Sequence, residues 1–277
     1  MDSITSPTCQ ASAPSDLFDL CEDEQPQHQV GTPASNISRQ WAEDGVAILP
    51  SLFTQSEVAA YISARAVNPQ WAVVANPYAH SSEVRDLLCH PALANALEEL
   101  LGQPAGLHLN LLSWYSSQRD WHADIYLNPP NVLFSYAAVW IALEKTHPDS
   151  GPFQYVPGTH NWPALSQQKV RDAIRQAGLD AEAPSWPYDS EKILTQLYEK
   201  KFAEQGLKPV TYLPEPGDVL IWHPNLAHRG TKAIDPGRPR LAAIGHFSGI
   251  GVRPDMPAPV QHGQGGWYFP INDVVPL

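Results

Sequence analysis

From Leu107 onward the chain consists of short runs of β-forming residues, each closed by proline or glycine. Leu107–Tyr115, Ser135–Glu144, Val210–Leu213, Asp218–Trp222 and Arg240–Phe247 are such runs. Residues 164–206 interrupt them with helical spacing, as in Val170, Ala173, Ile174, Ala177 and Ile193, Leu194, Leu197, Tyr198. The first third is also helical in pattern. Asn36 reads as an N-cap for a helix to Asp44, Gly45 stops it, and Val46–Leu49 reads as a strand. Thr54-Gln55-Ser56-Glu57 is a capping box opening a helix that carries Val58, Tyr61 and Ile62, and a further helix runs from Pro91 to Gly102. Helices first, then short strands with one helical insertion, predict a single mixed domain on an antiparallel sheet pair. The prolines agree, since 14 of the 28 fall between Pro129 and Pro239, mostly at strand ends and turns where a missing N–H costs no ladder bond.

Charge excludes several roles. There are 17 basic and 29 acidic residues, a net charge of −12, and no basic block, so the cationic footprint that nucleic-acid binding needs is lacking. The longest apolar stretch, Tyr136–Leu143, is far short of the roughly 20 residues of a membrane helix. With 43% hydrophobic residues and nine tryptophans, the chain can bury a large core. Residues 1–36 differ from the rest: they hold six acidic residues and no Lys or Arg, and read as a solvated, disordered tail. Within that tail Leu17-Phe18-Asp19-Leu20 is a short apolar patch able to dock on a partner or on the body. The domain proper is expected over 37–277, with 17 basic and 23 acidic residues, a net of 17 − 23 = −6. Three cysteines, Cys9, Cys21 and Cys89, make no disulfide framework, and the first residues lack the pattern of a signal peptide. A cytoplasmic setting is the expectation.

The chemistry concentrates in Trp121-His122-Ala123-Asp124. On an extended chain residues i and i+2 project from one face, so the imidazole of His122 and the carboxylate of Asp124 can reach one ion. A second imidazole is available at His228. Two histidines and one carboxylate, with other positions open, form the ligand set of non-haem Fe(II) oxygenases. Five further histidines, His108, His147, His160, His223 and His246, are alternatives on composition alone.

Several blocks in order narrow the choice. They are Trp121–Asp124, then Ala138–Glu144, then Asp149-Ser150-Gly151-Pro152-Phe153-Gln154-Tyr155-Val156-Pro157-Gly158-Thr159-His160. Last comes Pro216-Gly217-Asp218-Val219-Leu220-Ile221-Trp222-His223-Pro224 with His228, and Arg240 six residues before His246. In these blocks the chain resembles the phytanoyl-CoA dioxygenase family of Fe(II)/2-oxoglutarate-dependent oxygenases, over roughly residues 38–250. The resemblance implies a double-stranded β-helix (a jelly-roll, cupin-like core) with flanking helices, mainly β in an α+β arrangement. It implies His122, Asp124 and His228 as iron ligands, and Fe(II), 2-oxoglutarate and O₂ as cofactor and co-substrates. His223 and His160 are implied to be structural, and His246 a core residue or a neighbour of the ligands.

2-Oxoglutarate is a dianion whose distal carboxylate calls for a buried forked cation, and Arg240 stands where the next strand starts. Arg238 is the rival, but the register to His246 implied by the resemblance favours Arg240, and the extended approach before Pro239 is expected to leave Arg238 toward solvent. Trp140 and Asn110 are expected near the co-substrate. Ser113 is the alternative to Asn110, since strand alternation lets only one of the two face inward. Trp114, Trp121, Tyr126 and Asn128 flank the metal segment and are the expected contacts of a small-molecule substrate. Halogenating relatives replace the ligand carboxylate by Ala or Gly, so Asp124 implies hydroxylation or another oxygen-dependent C–H reaction. A jelly-roll protein that binds without chemistry is the competing reading, which the intact triad and Arg240 disfavour. A zinc hydrolase uses similar ligands, but it would need a general base and would leave Arg240 without a role.

Overall fold

The structure is a computed structural model and describes residues 14–23, 35–271 and 275–276. Its helices are α1 (Asn36–Asp44), α2 (Gln55–Ala66), α3 (Ser82–Leu88), α4 (Pro91–Leu101), α5 (Gln167–Gln176) and α6 (Trp186–Gln205). The strands are β1 (Val46–Leu49), β2 (Val74–Ala75), β3 (Ala105–Ser113), β4 (Tyr136–Ala142), β5 (Phe153–Tyr155) and β6 (Val210–Tyr212). They continue with β7 (Val219–Trp222), β8 (His228–Gly230), β9 (Ala242–Gly249), β10 (Val260–Gln261), β11 (Trp267–Tyr268) and β12 (Val275–Pro276).

Local chemistry sets the helix ends. Thr54 and Glu57 cap α2 reciprocally, and Gly45 ends α1 in the left-handed region at φ 77°. The N-cap of α1 is Ser35, whose side chain accepts from the Ser38 N–H, one residue before the expected Asn36. Gly217 shows the tightest turn: its φ is +89°, and a Cβ there would lie 2.2 Å from the Phe53 carbonyl oxygen.

The strands form a large sheet in the order β1-β7-β4-β9-β3-β11-β10, a small one in the order β6-β5-β8, and a separate antiparallel pair of β2 and β12. Alternation along β4 explains the layering. Ala137, Val139 and Ile141 join the core beneath α1–α4, whereas Tyr136, Ala138 and Trp140 face the small sheet. β7 divides the same way, with Val219 and Ile221 on the helix side and Leu220 and Trp222 on the other. The space between the two sheets is the interior of the double-stranded β-helix, and all seven residues of β4 are buried.

A third apolar cluster joins the helical insertion to the metal segment. Leu194, Tyr198 and Phe202 of α6, with Val170 and Ile174 of α5, pack on Trp121, Ala123 and Tyr126. This cluster also holds Leu17, Leu20 and Cys21, which corrects the expected solvated tail over part of its length. Residues 17–20 form a 3₁₀ turn capped by Asp16, with Leu17 and Leu20 each 3% exposed. Lys201 pairs with Asp16 at 3.0 Å and lies over the Phe18 ring, so the acidic segment finds its counter-charges on the insertion. The rest of the expected tail, 1–13 and 24–34, lies outside the described residues. No helix among the described residues is long and apolar enough to cross a membrane.

Candidate metal centre

The segment after β3 runs antiparallel to β8, and His122 and His228 face each other directly. Their backbones exchange two hydrogen bonds, at 3.1 and 3.0 Å. A hydrogen-bonded antiparallel pair of this kind projects its side chains to one side, and the two imidazole centroids lie 4.2 Å apart. Alternation sends His122 and Asp124 to the interior and Trp121 and Ala123 to the insertion.

His122 Nε2 lies 3.9 Å and His228 Nε2 3.7 Å from Asp124 Oδ1, and one ligand atom from each residue falls within 4.8 Å of the others. Among the described residues this is the one cluster of three or more such donors. Metal–ligand bonds of about 2 Å fit a single ion between them. Each histidine directs Nδ1 at a backbone carbonyl, His122 at Asp120 (2.6 Å) and His228 at Leu226 (2.9 Å). Nδ1 therefore carries the proton, and Nε2 keeps the lone pair a metal needs. Burial holds the pKa of His122 well below the ordinary histidine range, with Arg119 and His228 adding to the effect, and burial likewise lowers that of His228. Both rings are neutral, as ligation requires.

The second oxygen of the carboxylate is occupied. Trp222 Nε1–H donates to Asp124 Oδ2 at 3.0 Å and the Tyr136 hydroxyl donates to it at 3.2 Å, leaving Oδ1 toward the histidines. The Tyr136 oxygen is also hydrogen-bonded to Nδ1 of His246, whose pKa burial lowers to about 4. His246 is thus the expected neighbour of the ligands. His223 packs among Trp41, Phe134 and His160, and His160 packs edge-on to it, so both are structural.

Arg240, 2% exposed, immediately precedes β9 and lines the same cavity as the triad. Its guanidinium lies over the Trp140 ring at 4.6 Å, and Nη1 donates to the Gly151 carbonyl at 2.5 Å. Burial lowers its pKa to about 10, so it stays charged at neutral pH. Across from it is Gly230, where a Cβ would stand 3.6 Å from Arg240 Nη1 and 2.7 Å from Ser117 Oγ. A side chain at 230 would crowd the Ser117 hydroxyl and come into contact with the guanidinium.

Five expected contacts lie elsewhere. Asn110 is not part of the cavity lining: its side-chain Nδ2 donates to the Ile244 carbonyl at 2.8 Å, and its backbone N–H donates to Asn76 Oδ1 at 2.9 Å. The reason is an irregularity in β3 between Leu107 and Leu109, which shifts the alternation so that Leu111 reaches the cavity instead. The side chain of Ser113, the alternative, lies outside the described residues. Trp114 lies under the Arg65 guanidinium. Trp121 packs edge-on to Phe202, and Tyr126 hydrogen-bonds Ser190 within the insertion cluster. Asn128 donates to the Asp124 carbonyl oxygen, closing the turn behind the ligand. The residues lining the cavity besides the triad, Arg240 and Trp140 include Leu111, Ser117, Arg119, Phe153, Trp222, Ile244 and His246. Trp222 and His246 share strand faces with Leu220 and Ala242, a signal alternation could have supplied. Ser117 and Arg119 sit on a loop, where no periodicity applies.

Fold and site together define a non-haem Fe(II)- and 2-oxoglutarate-dependent oxygenase. Residues 41–238 match the phytanoyl-CoA dioxygenase (PhyH) family, and the chain belongs to that family. No curated protein matches the sequence. Among solved structures the chain is similar to EctD from S. alaskensis with bound Fe, at 20% identity over 86% of this chain and 84% of that one, with a TM-score of 0.59. It is also similar to the non-haem α-ketoglutarate-dependent carbocyclase SnoK from nogalamycin biosynthesis, at 19% identity over 78% and 84%, TM-score 0.56. The epimerase SnoN from the same biosynthesis aligns at 20% identity over 77% and 82%, TM-score 0.54.

Proposed function

We propose that the protein hydroxylates an unactivated C–H bond of a small molecule, converting substrate, 2-oxoglutarate and O₂ into alcohol, succinate and CO₂. The observation that supports this is Asp124, a carboxylate beside His122 and His228 with its Oδ2 bonded by Trp222 and Tyr136 and its Oδ1 turned to the histidines. His122, Asp124 and His228 would hold Fe(II), which would supply the O₂ activation that the oxidation needs. Arg240 binds the distal carboxylate of 2-oxoglutarate beside Gly230, with Trp140 beneath the guanidinium and the Gly151 carbonyl fixing its plane. Leu111, Phe153 and Ile244 exclude water around the ion and leave an apolar wall for the carbon that reacts.

A small-molecule substrate is supported by two structural neighbours, SnoN in complex with nogalamycin RO and EctD with 5-hydroxyectoine. The body carries no Lys/Arg cluster outside the insertion for the phosphates of a CoA ester, which favours a compact polar or natural-product-like substrate. The test is succinate release across a metabolite panel, followed by mass spectrometry of the product. A gain of one oxygen supports hydroxylation. A loss of two hydrogens, or an isomer of unchanged mass, overturns it in favour of desaturation, cyclisation or epimerisation.

A further inference from the structure

The buried stripe of α6 carries two polar residues at its N-terminal end, Ser190 and Glu191, ahead of the apolar Leu194, Tyr198 and Phe202. Glu191 is 5% exposed, and an apolar residue there would simply continue the stripe. A buried carboxylate is poor value for stability alone, because desolvation opposes the gain from its partner.

Its contacts show another use. Glu191 Oε1 accepts from Arg119 Nε at 2.5 Å and pairs with Nη2 of the same fork. Oε2 accepts from the backbone N–H of Asp120 at 2.9 Å. The carbonyl of that same Asp120 receives the Nδ1–H of His122, and the carbonyl of Arg119 receives the N–H of Gly230 on β8. One carboxylate from the insertion therefore holds Asp120, whose carbonyl orients His122, and Arg119, whose carbonyl ties the segment to β8. Trp121 completes the clamp, lying between the Arg229 guanidinium at 4.4 Å and the edge-on Phe202 ring at 5.1 Å.

We propose that Glu191 is a positioning residue for the metal site. Through Arg119 and the Asp120 peptide it fixes the direction of His122 Nε2, and the helical insertion serves as a buttress of the metal centre. This rests on the reading of His122 as an iron ligand. Partners that orient a ligating histidine are worth roughly 10–100-fold in metal affinity.

The test titrates metal-free protein with Co(II) under argon and follows the visible d–d bands, for wild type, Glu191→Ala, Glu191→Gln and Arg175→Ala. Arg175 pairs with Asp172 and Glu182 within the same insertion and serves as the control for general loosening. Glu191→Ala is expected to weaken Co(II) binding by roughly 10–100-fold and to alter the band shape. Glu191→Gln keeps one acceptor for Asp120 and is expected to lose several-fold less, while Arg175→Ala binds as wild type. A folded Glu191→Ala with wild-type affinity and spectrum overturns the inference, as does an equal loss in Arg175→Ala. Should Glu191→Ala fail to fold, Glu191→Gln decides: a reduced affinity with altered bands supports the inference, and unchanged values overturn it. Wild type that binds no Co(II) overturns the metal reading itself, a separate failure.

Discussion

Replacing Arg240 by methionine separates co-substrate binding from metal binding. Methionine fills much of the volume of the arginine stem, so the folding cost is chiefly the Gly151 carbonyl left without its donor, about 1–3 kcal/mol. The loss falls on 2-oxoglutarate, whose distal carboxylate enters the cavity with no cation to meet it. Arg240 is buried, and it is held by the Trp140 face and the Gly151 carbonyl. Leaving one partner of a buried ion pair uncompensated costs about 3–5 kcal/mol. At 1.4 kcal/mol per decade, this corresponds to a rise of roughly two to three and a half decades in the Kd of 2-oxoglutarate. Arg240→Lys keeps the charge and loses the fork, and its Kd should fall between the two. The assay is an anaerobic titration of the Fe(II)-loaded protein with 2-oxoglutarate, with Fe(II) affinity measured separately. Fe(II) affinity should stay within about threefold of wild type, since Arg240 offers no ligand atom. A 2-oxoglutarate Kd within threefold of wild type in folded Arg240→Met would refute the assignment, and so would a comparable loss of Fe(II) affinity.

Tyr136→Phe removes one of two donors to Asp124 Oδ2; Fe(II) affinity should fall by roughly tenfold, read by competition with a chelator, and an unchanged value would show that Trp222 alone suffices. Leu20→Ala opens a cavity where residues 17–20 dock on the insertion; urea unfolding should show a loss of about 2–4 kcal/mol, and a loss under 0.5 kcal/mol would mean the segment is not held there. His246 contributes to the pH dependence of stability, in the same direction as His108, His122 and His228, whose pKa values burial also lowers. Its folded pKa of about 4 lies below the ordinary 6.5, so between those values the unfolded chain binds more protons, and stability of the metal-free protein falls as pH drops. The difference of roughly 2.5 units corresponds to a loss on the order of 3 kcal/mol, complete below about pH 4. Denaturant midpoints at pH 7 and pH 4.5 test this, and His246→Asn should show a shallower dependence than wild type.

In the sequence, strand alternation puts His122 and Asp124 on one face, whereas His228 and Arg240 stand out through the family blocks around them. Arg240, Ile244 and His246 line the cavity together, in agreement with the register to His246 that the resemblance implies, since alternation alone would also admit Arg238. Asn110 failed by the same rule, because the bulge between Leu107 and Leu109 changes the count and nothing in the local sequence announces it. Trp121, Tyr126 and Asn128 were placed correctly along the chain but on the wrong side of it. Proximity to His122 in sequence does not say which core a neighbour joins: Trp121 alternates away into the insertion cluster, and past Asp124 a 3₁₀ turn over Ile125–Leu127 ends the alternation and sends Tyr126 there too. The Glu191–Arg119 pair spans 72 residues and was invisible for a different reason: a glutamate on a helix looks solvated until its helix is docked. The 17–20 segment shows the reverse, since its two leucines signalled docking while the surrounding acid suggested a solvated tail, and Lys201 and Lys169 supply the missing counter-charges.

The most direct test of the iron and 2-oxoglutarate assignment is the visible spectrum of the purified protein after anaerobic addition of Fe(II) and 2-oxoglutarate. Chelation of the keto acid to iron held by His122, Asp124 and His228 should give a weak charge-transfer band in wild type that is lost in His228→Ala. A wild-type spectrum without the band, or a band that survives intact in His228→Ala, would contradict the assignment.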